Sequence, residues 1–264
     1  MKIIKKLLTV AAALLFSLAI FCLIWLWRPG YTVPVLTYHC VGYEDDLITV
    51  TPENFDRQLA YLKNSNYDVI SLDELVGGIN SGKRFNRNTV VITFDDGRKD
   101  NYQNAYPVLK KYRFPVMIFL ATNLVNNRTD FLSWDDVRVM SKDGISFGAH
   151  TKNHVHLESL KSEEVLWDEI AGAKKVIEEN IDMPVEYFSY PYGAFNWKVK
   201  AMVKKAGYKG ACTTNVGPGR FNEDAYALKR IRVKNSDTNK PFSFWAKLSG
   251  YYNLFRRPRL EVEP

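Results

Sequence analysis

Two short segments, Thr93-Phe94-Asp95-Asp96-Gly97 and His150-Thr151-Lys152-Asn153-His154, supply two carboxylates and two imidazoles in an order that suits one metal site. Two imidazoles and one carboxylate form a facial set that leaves coordination positions open for water and substrate, the pattern of a catalytic rather than a structural zinc site. The second carboxylate is then free to take a proton. Asp95 and Asp96 suit this division because successive strand side chains face opposite ways. The chemistry such a set performs is metal-assisted hydrolysis. Two histidines four apart carry little weight alone. Here, however, the chain has only four histidines, and His150, His154 and His156 fall close together.

Strands must position these groups. Thr89-Val90-Val91-Ile92 reads as a buried strand ending in the acidic pair, and Gly97 permits the sharp turn that exposes both carboxylates. The apolar run 145–149 places His150 where another strand gives way to a loop. Further runs at 33–36, 116–120, 187–190 and 210–214 alternate with helix-like stretches, the pattern of repeated β/α units. Thr51 caps a helix with Pro52 in its first turn and Phe55, Leu59 and Leu62 on one face. Ser133 caps 134–140, and Val165, Ile170, Ala173 and Ile177 form another inward stripe. Because the chemical motifs follow strands, the expected fold is α/β: a distorted (β/α) barrel with its site at the strands' C-terminal ends.

The two segments, together with Tyr190-Pro191-Tyr192-Gly193, occur in the order of three motifs of a known family. Over residues 33–235 the chain resembles the polysaccharide deacetylases of the NodB-homology type, carbohydrate esterase family four. The resemblance implies that Asp95 is the general base and that Asp96, His150 and His154 hold a divalent metal, zinc first, with cobalt or nickel as alternatives. It implies that Tyr192, flanked by Pro191 and Gly193, meets the oxyanion through its backbone N–H. The substrate class it implies is an acetylated polysaccharide, cleaved to release acetate.

Two positions depart from the wider family. Its late Leu-His has no counterpart, since no histidine follows His156 and the region reads Leu228-Lys229-Arg230-Ile231-Arg232-Val233. Ser189 stands where many members carry arginine. Tyr-Pro-Tyr-Gly with a late Arg-Ile-x-Val resembles the branch that holds exported poly-N-acetylglucosamine deacetylases, with Arg230 as the expected replacement tether for Asp95. His39, in Leu36-Thr37-Tyr38-His39, either acts on the leaving group or substrate or fills a structural hydrogen-bonding role. Poly-N-acetylglucosamine is the favoured substrate, peptidoglycan the next and O-acetylated xylan a distant third. A noncatalytic glycan-binding or assembly factor is the reading from another class; intact Asp95, Asp96, His150 and His154 argue against it.

Lys2, Lys5 and Lys6 precede an uncharged apolar stretch at 7–27, long enough to cross a bilayer of about 30 Å, and Arg28 and Pro29 end it. The exit Ile24-Trp25-Leu26-Trp27 lacks the small-x-small pattern of a cleavage site, so the stretch is expected to remain as a signal-anchor transmembrane helix. Bulky Phe21 before Cys22 argues against lipidation. The lysines place 1–6 in the cytoplasm and the catalytic domain, 28–240, outside a cell membrane crossed once. The tail, 241–264, carries Phe242, Phe244, Trp245, Tyr251, Tyr252 and Phe255 with Arg256, Arg257 and Arg259, and either packs on the barrel or touches membrane.

The net charge of +7 is dispersed among acids, and no nucleic-acid motif occurs. An anionic cell surface is the expected partner of that charge. Three cysteines make no disulfide framework; Cys40 and Cys212 either pair or, by default, stay as free buried thiols. Trp134 either walls a sugar groove or belongs to the core. Oligomeric state is not legible.

Overall fold

β-branched and aromatic runs build a closed parallel sheet in the computed structural model, which describes residues 6, 10, 13–21, 32–214 and 222–255. Its strands are β1 (Val35–Tyr38), β2 (Cys40–Val41), β3 (Thr49–Val50), β4 (Asp68–Val69), β5 (Thr89–Phe94), β6 (Val116–Leu120), β7 (Ser146–Ala149), β8 (Tyr187–Ser189), β9 (Gly210–Thr213) and β10 (Leu228–Arg232). The order β1-β10-β9-β8-β7-β6-β5 returns to β1 through the register Val35↔Val91 to Tyr38↔Phe94, which closes a distorted seven-stranded barrel. β4 pairs only with Thr89 and Val90 of β5, while β2 and β3 pair separately. Every residue of β5 is buried, as a strand covered on both faces requires.

Helices cover the outside. Thr51 accepts a hydrogen bond from the Asn54 N–H and caps Pro52–Asn64, whose Phe55, Leu59 and Leu62 are fully buried. Ser133 and Asp136 form a reciprocal capping box on Trp134–Lys142. The stripe Ile170, Ala173 and Ile177 is buried as expected, but Val165 is exposed. Val165 belongs to Glu163–Trp167, and the wide π turn Asp168–Gly172 that follows shifts the buried face between it and Ala173–Ile181.

β10 is no apolar run, since its sequence is Leu-Lys-Arg-Ile-Arg; Lys229 and Arg230 are nonetheless buried. The helix Pro241–Leu248 lies in the expected tail. Phe244 and Leu248 join the core, Phe244 meeting Tyr61 edge-on at 5.6 Å, while Phe242 and Trp245 are exposed. Cys40 and Cys212 are free and buried.

The chain separates into two units, Met1–Tyr31 and Thr32–Pro264. In the first, residues 13–21 are helical. Among the described residues no helix is long and apolar enough to cross a membrane. Much of the expected span, with Lys2, Lys5, Cys22, Trp25, Trp27, Arg28 and Pro29, lies outside the described residues, as do Arg256, Arg257 and Arg259.

Candidate active site

Asp95 and Asp96 follow β5, and backbone strain turns them apart. Asp95 stays in register, its N–H donating to the Tyr38 carbonyl, whereas Asp96 enters the left-handed region at φ 71° and Gly97 follows at 72°. Among the described residues, four of the eight non-glycine residues with positive φ are Asp96, Thr151, His154 and Tyr192, so the strained backbone concentrates around these motifs. Gly97 has a packing reason too, because a Cβ there would come within 2.6 Å of Leu120 Cδ2.

His150 follows β7, with its N–H on the Leu120 carbonyl. His150 Nδ1 lies 2.7 Å from the Ser189 carbonyl oxygen, so this nitrogen carries the proton and Nε2 presents its lone pair to Asp96 Oδ1 at 3.6 Å. His154 is aimed by its own N–H, which donates to Thr151 Oγ1, and its Nε2 lies 3.3 Å from the same carboxylate oxygen. One ligand atom from each of Asp96, His150 and His154 falls within 4.8 Å of the other two. Among the described residues Asp96 Oδ1, which is buried, has no hydrogen-bond partner. An unsatisfied carboxylate oxygen facing imidazole nitrogens repels their lone pairs unless a cation lies between them, so the donor set fits a divalent metal. The Ser189 carbonyl then plays the outer part, fixing the His150 tautomer.

Asp95 turns to Arg230. The guanidinium donates from Nη1 to Oδ1 at 2.7 Å and from Nη2 to Oδ2 at 2.6 Å, and also to Thr93 Oγ1 and Ser189 Oγ. Burial of Asp95 pushes its carboxyl pKa up, but the charge and hydrogen bonds of Arg230 win and hold it well below the usual carboxylate range. β10 thus supplies a bidentate tether to the residue at the tip of β5, two strands that share only β1 as a neighbour.

His39 follows β1. Its carbonyl accepts from Asn101 Nδ2, and its Nδ1 is buried with no hydrogen-bond partner among the described residues. Burial lowers its pKa, while the charges of Asp95 and Asp96 act to raise it. Tyr192 sits at φ 60° inside the turn Pro191–Gly193 and stacks on His156 at 3.9 Å, with His154 edge-on at 4.8 Å. Pro191 and Gly193 are buried beneath it. Trp134 is half-buried and packs against the core.

A family model described as polysaccharide deacetylase matches residues 82–211. YxkH of Bacillus subtilis strain 168, named among the polysaccharide deacetylases, is 30% identical over 210 residues, which cover 80% of this chain and 74% of that protein. The chain belongs to the polysaccharide deacetylases. The Staphylococcus aureus poly-β-1,6-N-acetyl-D-glucosamine N-deacetylase is 28% identical over 199 residues, 71% of this chain and 68% of that one. Among solved structures, the deacetylase PplD of Streptococcus pyogenes, in complex with acetate, superposes with a TM-score of 0.74 at 27% identity, covering 81% of this chain and 97% of that chain. IcaB from Ammonifex degensii shares the fold at a TM-score of 0.72 and 24% identity, over 83% of this chain and 98% of that one.

This deacetylase also uses residues that motif reading passed over. Glu169 is buried, and its carboxylate accepts from the N–H groups of Lys152 and Asn153 and from Asn153 Nδ2. It thereby fixes the loop between the two histidines. The available signal was an acid four residues before Ala173, on the apolar stripe, where an unpaired charge does not belong. Ser189 likewise serves both halves of the site at once, through its carbonyl and its hydroxyl.

Proposed function

We propose that this deacetylase hydrolyses N-acetyl groups on sugars of an extracellular polysaccharide, poly-N-acetylglucosamine first, using a divalent metal such as zinc. The observation that carries this reading is the Asp96, His150 and His154 cluster beside an Asp95 held by Arg230. The name of the Staphylococcus aureus relative supports the choice of polymer.

Asp96, His150 and His154 would hold the metal, which when bound supplies Lewis-acid polarisation of the acetyl carbonyl and lowers the pKa of water toward about 7. Asp95 takes the proton of the attacking water as its oxygen bonds to the carbonyl carbon. Until that transfer, Arg230 keeps the carboxylate ionised and aimed. The Tyr192 N–H donates to the oxyanion, a contribution of about 2.7–4 kcal/mol in comparable sites. His39 protonates the sugar nitrogen as the C–N bond breaks, leaving acetate and a free amine; its Nδ1, buried with no hydrogen-bond partner among the described residues, supports this role, and the charges of Asp95 and Asp96 oppose the burial that lowers its pKa.

The segment 7–27 remains as a membrane anchor in this reading, with the barrel outside the cell. The lysines at 2, 5 and 6 and the bulky residues at 25 and 27 support it. Acetate release by the full-length protein in detergent, with zinc, measured on β-1,6-linked N-acetylglucosamine oligomers and on peptidoglycan, tests the substrate. Turnover confined to peptidoglycan would replace the polymer named here.

A further inference from the structure

Helix Trp197–Lys205 begins four residues after the turn Pro191–Gly193, and because it follows β8 it starts on the same rim of the barrel as Tyr192. The five residues from Tyr192 to Trp197 span at most about 18 Å even when fully extended. Trp197 is 69% exposed and Tyr192 51%, an arrangement that costs apolar hydration and that core packing does not explain. Trp197 and Lys198 open a groove of about 390 Å³ that runs along the helix past Ala201 and Met202 to Lys205, with Glu163 on the facing helix. Residues 197, 201 and 205 are spaced by four, so they form one continuous edge. A second indole, Trp167, 38% exposed, lies at the Lys205 end, with Lys205 Nζ 5.4 Å from its ring centre. Lys198 and Glu163 pair at 2.9 Å over the groove wall.

An exposed ring lining the groove, a second indole next to Lys205 at its far end and hydrogen-bonding side chains between them suit a pyranose chain: apolar sugar faces lie on indoles while hydroxyls meet Lys and Glu. A lone hydrophobic pocket would lack the polar groups, and a nucleic-acid path would lack Glu163. We propose that this groove is a distal glycan subsite that binds sugar units of the substrate chain beyond the residue being deacetylated. The inference rests on the reading of Asp95, Asp96, His150 and His154 as the deacetylation site, from which the chain would leave past Tyr192. Its consequence is that the enzyme prefers long chains.

The test compares full-length wild type, Trp197→Ala and Trp197→Phe on β-1,6-linked N-acetylglucosamine oligomers of two and six units. Wild type should favour six units, and Trp197→Ala should raise KM for them about tenfold, or about 1.4 kcal/mol, while two-unit turnover and the thermal melt stay unchanged. Trp197→Phe should recover most of the loss. Equal effects on both lengths, or none on either, would overturn the subsite. So would loss of binding to anionic vesicles in Trp197→Ala with unchanged oligomer kinetics, which would make the groove a lipid contact. Quenching of indole fluorescence by the six-unit oligomer, absent in Trp197→Ala, reports the subsite separately from chemistry. If wild type binds in that assay yet releases no acetate, the reading of the reaction fails and the subsite stands.

Discussion

Arg230 and Asp95 bury opposite charges against each other with side-chain exposures of 0% and 4%. Breaking such a pair leaves an uncompensated charge in the barrel, so Arg230→Met should lower unfolding free energy by about 3–5 kcal/mol in urea titrations as well as impair turnover. Asp95→Asn should retain stoichiometric metal but lose about 10²–10⁴-fold in kcat, since an amide cannot accept a proton; near-normal kcat would remove Asp95 from the role of base. Folding lowers the Asp95 pKa, so its stabilisation is fully present above the unfolded value of about 3.9 and fades as pH falls through the folded value below it. Asp95→Asn should therefore lose stability less steeply than wild type as pH falls below about 4, and superimposable pH profiles of stability would contradict that sign. His39→Ala should cut turnover of the N-acetyl sugar far more than that of an aryl acetate, whose phenolate leaves unprotonated. Equal losses on the two substrates would assign His39 a structural part.

Between residue and fold stand the loops that carry the proposed metal ligands. The loop 150–154 is fixed from below by Glu169, on the wide turn of the helix that covers β7. Glu169→Ala should weaken metal affinity by about 10–100-fold, read by competition with a chromogenic chelator, while far-UV circular dichroism stays unchanged; unaltered affinity would show that the loop holds itself. Capping residues and apolar stripes were legible at this scale because they depend on neighbours three or four positions away, as at Thr51, Ser133, Phe55 and Leu59. β10 was not, because burial of Lys229 and Arg230 depends on what the barrel places around them. Val165 failed for a related reason: the π turn after Trp167 rotates the helix face, and no simple period contains it.

For the whole molecule, the untreated sequence makes a claim about place. If 7–27 anchors the chain, the mature protein should retain its N-terminal residues by mass spectrometry, partition with membranes, and lose its barrel to protease added to intact cells. A mature start near residue 30 would sink the anchor, and protection of the barrel would reverse the orientation. By itself the sequence indicated the chemistry and the class of fold, because each half of the proposed donor set, Asp95 and Asp96 beside Gly97 and His150 with His154, lies within a few residues, and β/α alternation is a local pattern. It named Asp95, Asp96, His150, His154 and, through the family resemblance, the Arg230 tether. Only the tertiary structure decided how they meet: closure of β5 onto β1 brings β10 close enough for Arg230 to grip Asp95. Only it gave Ser189 two partners and Glu169 its loop, since contacts between residues tens of positions apart have no signature along the chain.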